Sequence, residues 1–222
     1  MQKIQTLLLT SQGIQPELKN IFLSLLHKHP KDISVAFITT GAYGEKVNPD
    51  WLQKYITQLN DLDIYRILEL DFTGKTYKEV ISLLNGKDII FVNGGNTFYL
   101  LKHARESGFD RAVKKQLAKG VLYIGVSAGT YIVCPTIEQA HWKNANRNYE
   151  HLNDLTAFNL VPFLIFAHFN ETHRVIIEKE SKQTQFPIVA IGDTQAVLVE
   201  GDRYKVVGKG NKEFFNGFRE NW

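Results

Sequence analysis

Six short apolar runs rich in β-branched residues recur along this chain, at 4–9, 33–39, 64–70, 88–92, 121–126 and 188–191. Segments of helical period lie between them. Residues 15–27 place Leu18, Ile21, Phe22 and Leu25 on one face, and 50–59 gather Trp51, Leu52, Tyr55, Ile56 and Leu59. Residues 77–84, 97–105 and 109–119 repeat the pattern. Strands that alternate with helices in this way predict an α/β fold. Its mostly parallel sheet would be covered on both faces and joined by right-handed crossovers.

The pattern loosens after residue 127. Residues 138–155 are polar and aromatic without a clean period, and read as a loop or a small β excursion. An apolar run, 160–168, ends in a histidine, and 171–182 reads as a helix. Two strand-like pieces, 196–200 and 204–207, flank Gly201-Asp202, a hairpin turn pair. No repeat or linker divides the chain, so residues 1–222 are expected to form one domain.

Composition narrows the function classes. The formal charge is +3, from 26 basic and 23 acidic side chains spread without blocks. That gives no case for nucleic acid or an anionic membrane as partner. No apolar stretch approaches the roughly 18 residues of a membrane span. The lone Cys134 cannot form an internal disulfide, and the first residues lack a signal-peptide core. A cytoplasmic protein is the expectation.

Two glycine-bearing turns carry the chemistry. In Gly125-Val126-Ser127-Ala128-Gly129 a serine stands between a strand and a helical stretch, with glycines two residues to either side. This is the pattern of a nucleophile elbow, which lifts a hydroxyl above the sheet beside free helix N–H groups. An ordinary tight βα turn is the alternative. Asn93-Gly94-Gly95-Asn96-Thr97 also follows a strand and precedes a helix. Paired glycines let a backbone N–H point into a site that a Cβ would crowd. The motif fits a phosphate cradle less well than an oxyanion hole, because neither phosphate-binding glycine pattern is complete.

A serine nucleophile needs a base, an orienter for that base, and oxyanion donors. Of the seven histidines, His168 follows the apolar run Phe163-Leu164-Ile165-Phe166-Ala167 and falls at a strand's carboxyl end, where ligands collect in open α/β sheets. It is the candidate base. His27, His29 and His103 read as surface residues, His141 and His151 as weaker substrate contacts, and His173 as part of a helix.

These motifs in this order, with Cys134-Pro135-Thr136-Ile137 and Asn159-Leu160-Val161-Pro162-Phe163 between elbow and histidine, resemble the peptidase E (aspartyl dipeptidase) family of serine peptidases. The resemblance implies a three-layer α/β/α sandwich like the class I glutamine amidotransferases (flavodoxin-like). It also implies hydrolysis of short peptides without a metal or organic cofactor, by a monomer or homodimer. Ser127 would be the nucleophile, His168 the base, and the N–H groups of Gly95 and Ala128 the oxyanion hole. Gly94, Asn96 and Arg174 are candidate substrate contacts. Arg174, Arg147 and Lys143 are the cations available to read an amino-terminal aspartate.

The acid departs from the family pattern. One of its expected positions falls near Trp142, which cannot accept a hydrogen bond from imidazole, and another near Gln195. Asp193 lies two residues earlier, on the same face of an extended segment. Asp193 is therefore the candidate orienter, with Gln195 second and a plain turn residue as the alternative for Asp193. Two other readings share this scaffold, a hydrolase such as a cyanophycinase-like or ester-cleaving enzyme, and a non-catalytic binding module.

Overall fold

The structure is a computed structural model that describes residues 5–45, 48–143 and 147–222. Five parallel strands form its centre: β1 (Thr6–Thr10), β2 (Ser34–Ile38), β3 (Arg66–Leu70), β4 (Ile89–Val92) and β5 (Leu122–Val126). They lie in the order β3-β2-β4-β5-β1. The hairpin β8 (Gln195–Glu200) and β9 (Arg203–Gly208) extends the sheet antiparallel beyond β1. The expected start of the first strand, Ile4, lies outside the described residues, as do positions 144–146 of the irregular insertion.

Alternation along the strands divides two cores. Leu8, Val35, Phe37, Phe91 and Ile124 face α1 (Lys19–Ser24) and α3 (Gln53–Asn60), which contribute Phe22, Tyr55 and Leu59. Leu7, Leu9, Ala36, Ile90 and Tyr123 face the opposite layer. There α4 (Tyr77–Leu84), α5 (Thr97–Ser107) and α6 (Phe109–Leu117) supply Val80, Leu101 and Val113. Neighbouring side chains point to opposite faces of a strand, so a run such as Leu7-Leu8-Leu9 feeds both layers at once.

Boundaries follow local chemistry. Thr76 and Glu79 form a reciprocal capping box that starts α4, and Gly108, at φ 70°, ends α5 and turns the chain into α6. The stretch read as one helix over 15–27 is shorter, a 3₁₀ turn at Pro16–Leu18 followed by the six residues of α1.

A second sheet was not evident from the sequence. β6 (Leu164–Phe166) runs parallel to β7 (Ile188–Ala190), which pairs antiparallel with β10 (Glu213–Phe215). The strand leading to His168 therefore belongs to this small sheet and not to the central one. Its residues Leu164, Ile165 and Phe166 join the same core as α4 to α6. Two short helices complete the surroundings of the site, α2 (Thr40–Tyr43) after β2 and α7 (Ala128–Tyr131) after Ser127. The helix expected over 171–182 is a 3₁₀ turn, Glu171–His173, continued by α8 (Arg174–Glu180).

Candidate active site

Ser127 follows β5 with φ 49° and ψ −104°, a backbone conformation that costs an ordinary residue about 1–3 kcal/mol. The surrounding chain enforces it. The Ser127 N–H donates to Thr10 O at 3.1 Å, and its carbonyl accepts from Thr130 and Tyr131 N–H at 2.9 Å each. Thr10 holds the other side of the turn, donating from Oγ1 to Gly125 O at 2.9 Å and accepting Thr130 Oγ1–H on its carbonyl at 2.8 Å. The elbow glycines are steric requirements. A Cβ on Gly129 would stand 2.1 Å from Val92 O, and one on Gly125 would stand 2.7 Å from Gly129 O.

The glycine pair after β4 reaches the same place. A Cβ on Gly94 would lie 3.4 Å from Ser127 Cβ, so the two turns touch. Gly95 sits at φ 115°, and a Cβ there would meet Gly41 O of α2 at 2.2 Å. Among the described residues, the N–H groups of Gly95 and Ala128 donate to no backbone carbonyl.

His168 follows β6 at φ 56°, also in the left-handed region. Its Nδ1 lies 2.6 Å from Asp193 Oδ1, beyond the end of β7. A carboxylate only accepts, so the ring donates from Nδ1 and leaves Nε2 as an acceptor. Ser11, fully buried after β1, ties the pair together: its Oγ accepts the His168 N–H at 2.8 Å and donates to Asp193 Oδ1 at 2.6 Å. These contacts draw the Asp193 carboxyl down to about 2, with the His168 hydrogen bond the largest cause, desolvation opposing it and Ser11 assisting.

Ser127, Gly94, Gly95, His168 and Asp193 line one open cleft of about 620 Å³, together with Glu45, Tyr55, Lys143, Asn170 and His173. Lys143 is largely buried, which lowers its ammonium to about 8 against the opposing attraction of Asp193. It donates to Ala167 O and lies 4.2 Å from the centre of the Phe166 ring. Burial raises the Glu45 carboxyl, while burial, then Lys143 and His168, lower the His173 imidazole.

Several sequence expectations are corrected. Gln195 does not reach His168. Its Oε1 accepts the Gly192 N–H at 2.9 Å and its Nε2 donates to Asn211 O at 3.0 Å, so it braces the turn that carries Asp193. Arg174 is turned away from the cleft, held by Glu171 at 2.8 Å and by Glu213 at 2.9 Å. Asn96 caps α5, accepting the Tyr99 N–H at 3.0 Å, and donates to Arg147 O. His103 is not a free surface residue. Its side chain is 14% exposed, paired with Glu106 at 2.8 Å and packed on Tyr99. His141 lies against Phe98, and neither it nor His151 lines the cleft. Trp142 stacks on Phe166. Ser11 and Glu45 carried no sequence signal, being single residues outside any motif.

A model described as peptidase family S51 matches residues 7–207. This chain belongs to peptidase family S51. The S51 assignment agrees with a 30% identity over 174 residues to an uncharacterized peptidase of Listeria monocytogenes, covering 76% of this chain and 82% of that protein. Peptidase E of Salmonella newport is 38% identical over 89 residues, which are 40% of this chain and 37% of that one. A crystal structure from Listeria monocytogenes, assigned provisionally to peptidase E, superposes with a TM-score of 0.78 at 26% identity, covering 93% of this chain and all of that one. A peptidase from an acI-B1 actinobacterium has the same fold, with a TM-score of 0.73 at 17% identity over 98% of this chain and 93% of that one. The S51 chain is thus a serine-type peptidase on a class I glutamine amidotransferase-like fold.

Proposed function

We propose that this S51 peptidase hydrolyses dipeptides or other short peptides through Ser127, His168 and Asp193. The observation that carries the reading is the 2.6 Å His168–Asp193 pair in the same cleft as a serine held at φ 49°. Ser127 Oγ attacks the scissile carbonyl while His168 Nε2 takes its proton. The N–H groups of Gly95 and Ala128 hold the oxyanion. His168 returns the proton to the leaving amine as the carbon–nitrogen bond breaks. A water molecule, deprotonated by His168, then attacks the acyl-enzyme and releases the acid with Ser127 restored. Asp193 holds the imidazole in the Nδ1–H tautomer and stabilises its cationic form. Of the cations expected to read an amino-terminal aspartate, Arg174 is engaged by two glutamates outside the cleft whereas Lys143 lines it, and the proposal carries no such restriction.

The test is Ser127→Ala. Turnover of a dipeptide panel should fall by more than about 10⁴-fold, as in other serine triads, with the thermal transition little changed. A fluorophosphonate should label the wild type and not the variant. Retained turnover in Ser127→Ala overturns the mechanism. Cleavage of esters or β-aspartyl peptides in place of α-dipeptides would move the activity to another hydrolase of this fold.

A further inference from the structure

The cleft carries opposite charges on the two sides of the nucleophile. Glu45 lies just past α2, the helix whose Gly41 abuts Gly95 and accepts the Asn96 N–H at 2.9 Å. It therefore stands on the oxyanion side, where the acyl half of a substrate lies. Burial is the one cause that shifts its carboxyl, and no cation acts on it among the described residues. Lys143 stands on the histidine side. Its ammonium is fixed between the Phe166 ring and the carbonyl of Ala167, the residue before His168. His168 must hand a proton to the leaving amine, so this is the side of the leaving residue. A second lysine of the cleft, Lys54, has its Nζ 3.3 Å from Gln12 Oε1 and 4.7 Å from the centre of the Tyr55 ring, both on the cleft wall.

We propose that Glu45 binds the free α-ammonium of the acyl residue and Lys143 the free α-carboxylate of the leaving residue, making the preferred substrate a zwitterionic dipeptide. The inference rests on the peptidase reading above and names the readers of its substrate. Both charges sit in a partly desolvated cleft, where an ion held by a fixed counter-charge gains more than it would in water. A longer peptide places an amide where Lys143 expects a carboxylate, and an acylated peptide places one where Glu45 expects an ammonium. Both should be poor substrates.

The experiment compares one cleaved dipeptide with its N-acetyl and C-amide forms, on the wild type, Glu45→Gln and Lys143→Met. For the wild type, each blocked form should lose about 10- to 100-fold in kcat/KM, the usual scale for a charged hydrogen bond. Glu45→Gln should lose as much on the free dipeptide and no longer distinguish the N-acetyl form. Lys143→Met should behave likewise toward the amide. Undiminished cleavage of the blocked forms by the wild type overturns the inference. So does a loss in either variant that is equal for free and blocked substrates, and so does discrimination set by an acidic side chain in place of the termini. Fluorophosphonate labelling of Ser127 separates the outcomes. Labelling without terminus discrimination leaves the hydrolase and removes these readers, whereas absence of labelling removes both.

Discussion

Ser11 joins two catalytic candidates that approach from different strands. Its hydroxyl accepts from the backbone of His168 and donates to the carboxylate of Asp193, so it fixes both a strained main chain and the acid beside it. It touches no reacting atom and acts as a positioning residue. Ser11→Ala should lower kcat by about 10-fold or more with KM little changed, because one charge-assisted bond is lost and the imidazole loses its anchor. Ser11→Thr, which keeps the hydroxyl, should recover part of the rate. A change in KM alone, or no recovery with threonine, would place Ser11 in packing only. Lys143 offers a second test at this scale. Burial sets its folded pKa near 8, below the roughly 10.4 of an unfolded lysine. Between those values the unfolded chain binds more protons, so stability rises with pH. Relative to Lys143→Met, the wild type should gain stability from pH 8 toward 10, by at most about 1.4 kcal/mol per pH unit. Below pH 8 the difference between the two proteins should be flat.

At the scale of elements, the elbow depends on backbones approaching without side chains between them. Gly129→Ala puts a Cβ where Val92 O already lies, and neither partner is the end of a flexible side chain. The helix α7 must move off β4, at about 3 kcal/mol for overpacking a core. The expected fall in Tm is roughly 6–12 °C. A differential scan that finds Gly129→Ala as stable as wild type would show that α7 shifts freely. The elements legible in the sequence are those with enough residues to show a period. Tyr77–Leu84 spans its expected bounds, and the five central strands fall within a residue or two of theirs. Short elements are legible where their residues are apolar throughout, as in the runs 160–168 and 188–191 that hold β6 and β7. β10, with three residues, and the pairing that joins the three into one sheet are not. So short a piece shows neither alternation nor length, and only mutual pairing makes the three a sheet. The same reason hid α2, four residues long, and with it the approach of Glu45 to the cleft. Ser127 and His168 could be singled out because each closes a recognisable strand. Gln195 was misjudged because spacing along a strand says nothing of which backbone groups a buried amide must satisfy.

At the scale of the molecule, the cleft lies where two sheets meet. Ser127 and Ser11 close strands of the central sheet, while His168 and Asp193 follow strands of the small one. Hydrophobic packing of Leu164, Ile165 and Phe166 into the core of the α4–α6 layer holds the two sheets in register. The functional geometry is therefore a property of their docking, and docking is lost at lower free energies than the strands themselves. In rising urea, hydrolysis of a dipeptide should fall before the far-ultraviolet circular dichroism does. Coincident transitions would show that the two sheets unfold as one cooperative unit.

The separation of these residues along the chain has a consequence during synthesis. Ser11 meets His168 across 157 positions and Asp193 across 182. The elbow is made first and the imidazole later, but its carboxylate is translated 25 residues after it. A ribosome-bound or truncated chain that stops short of residue 193 holds Ser127 and His168 without the carboxylate that pairs with the imidazole. On the proposed mechanism, such a chain should turn over no dipeptide until residue 193 has been added.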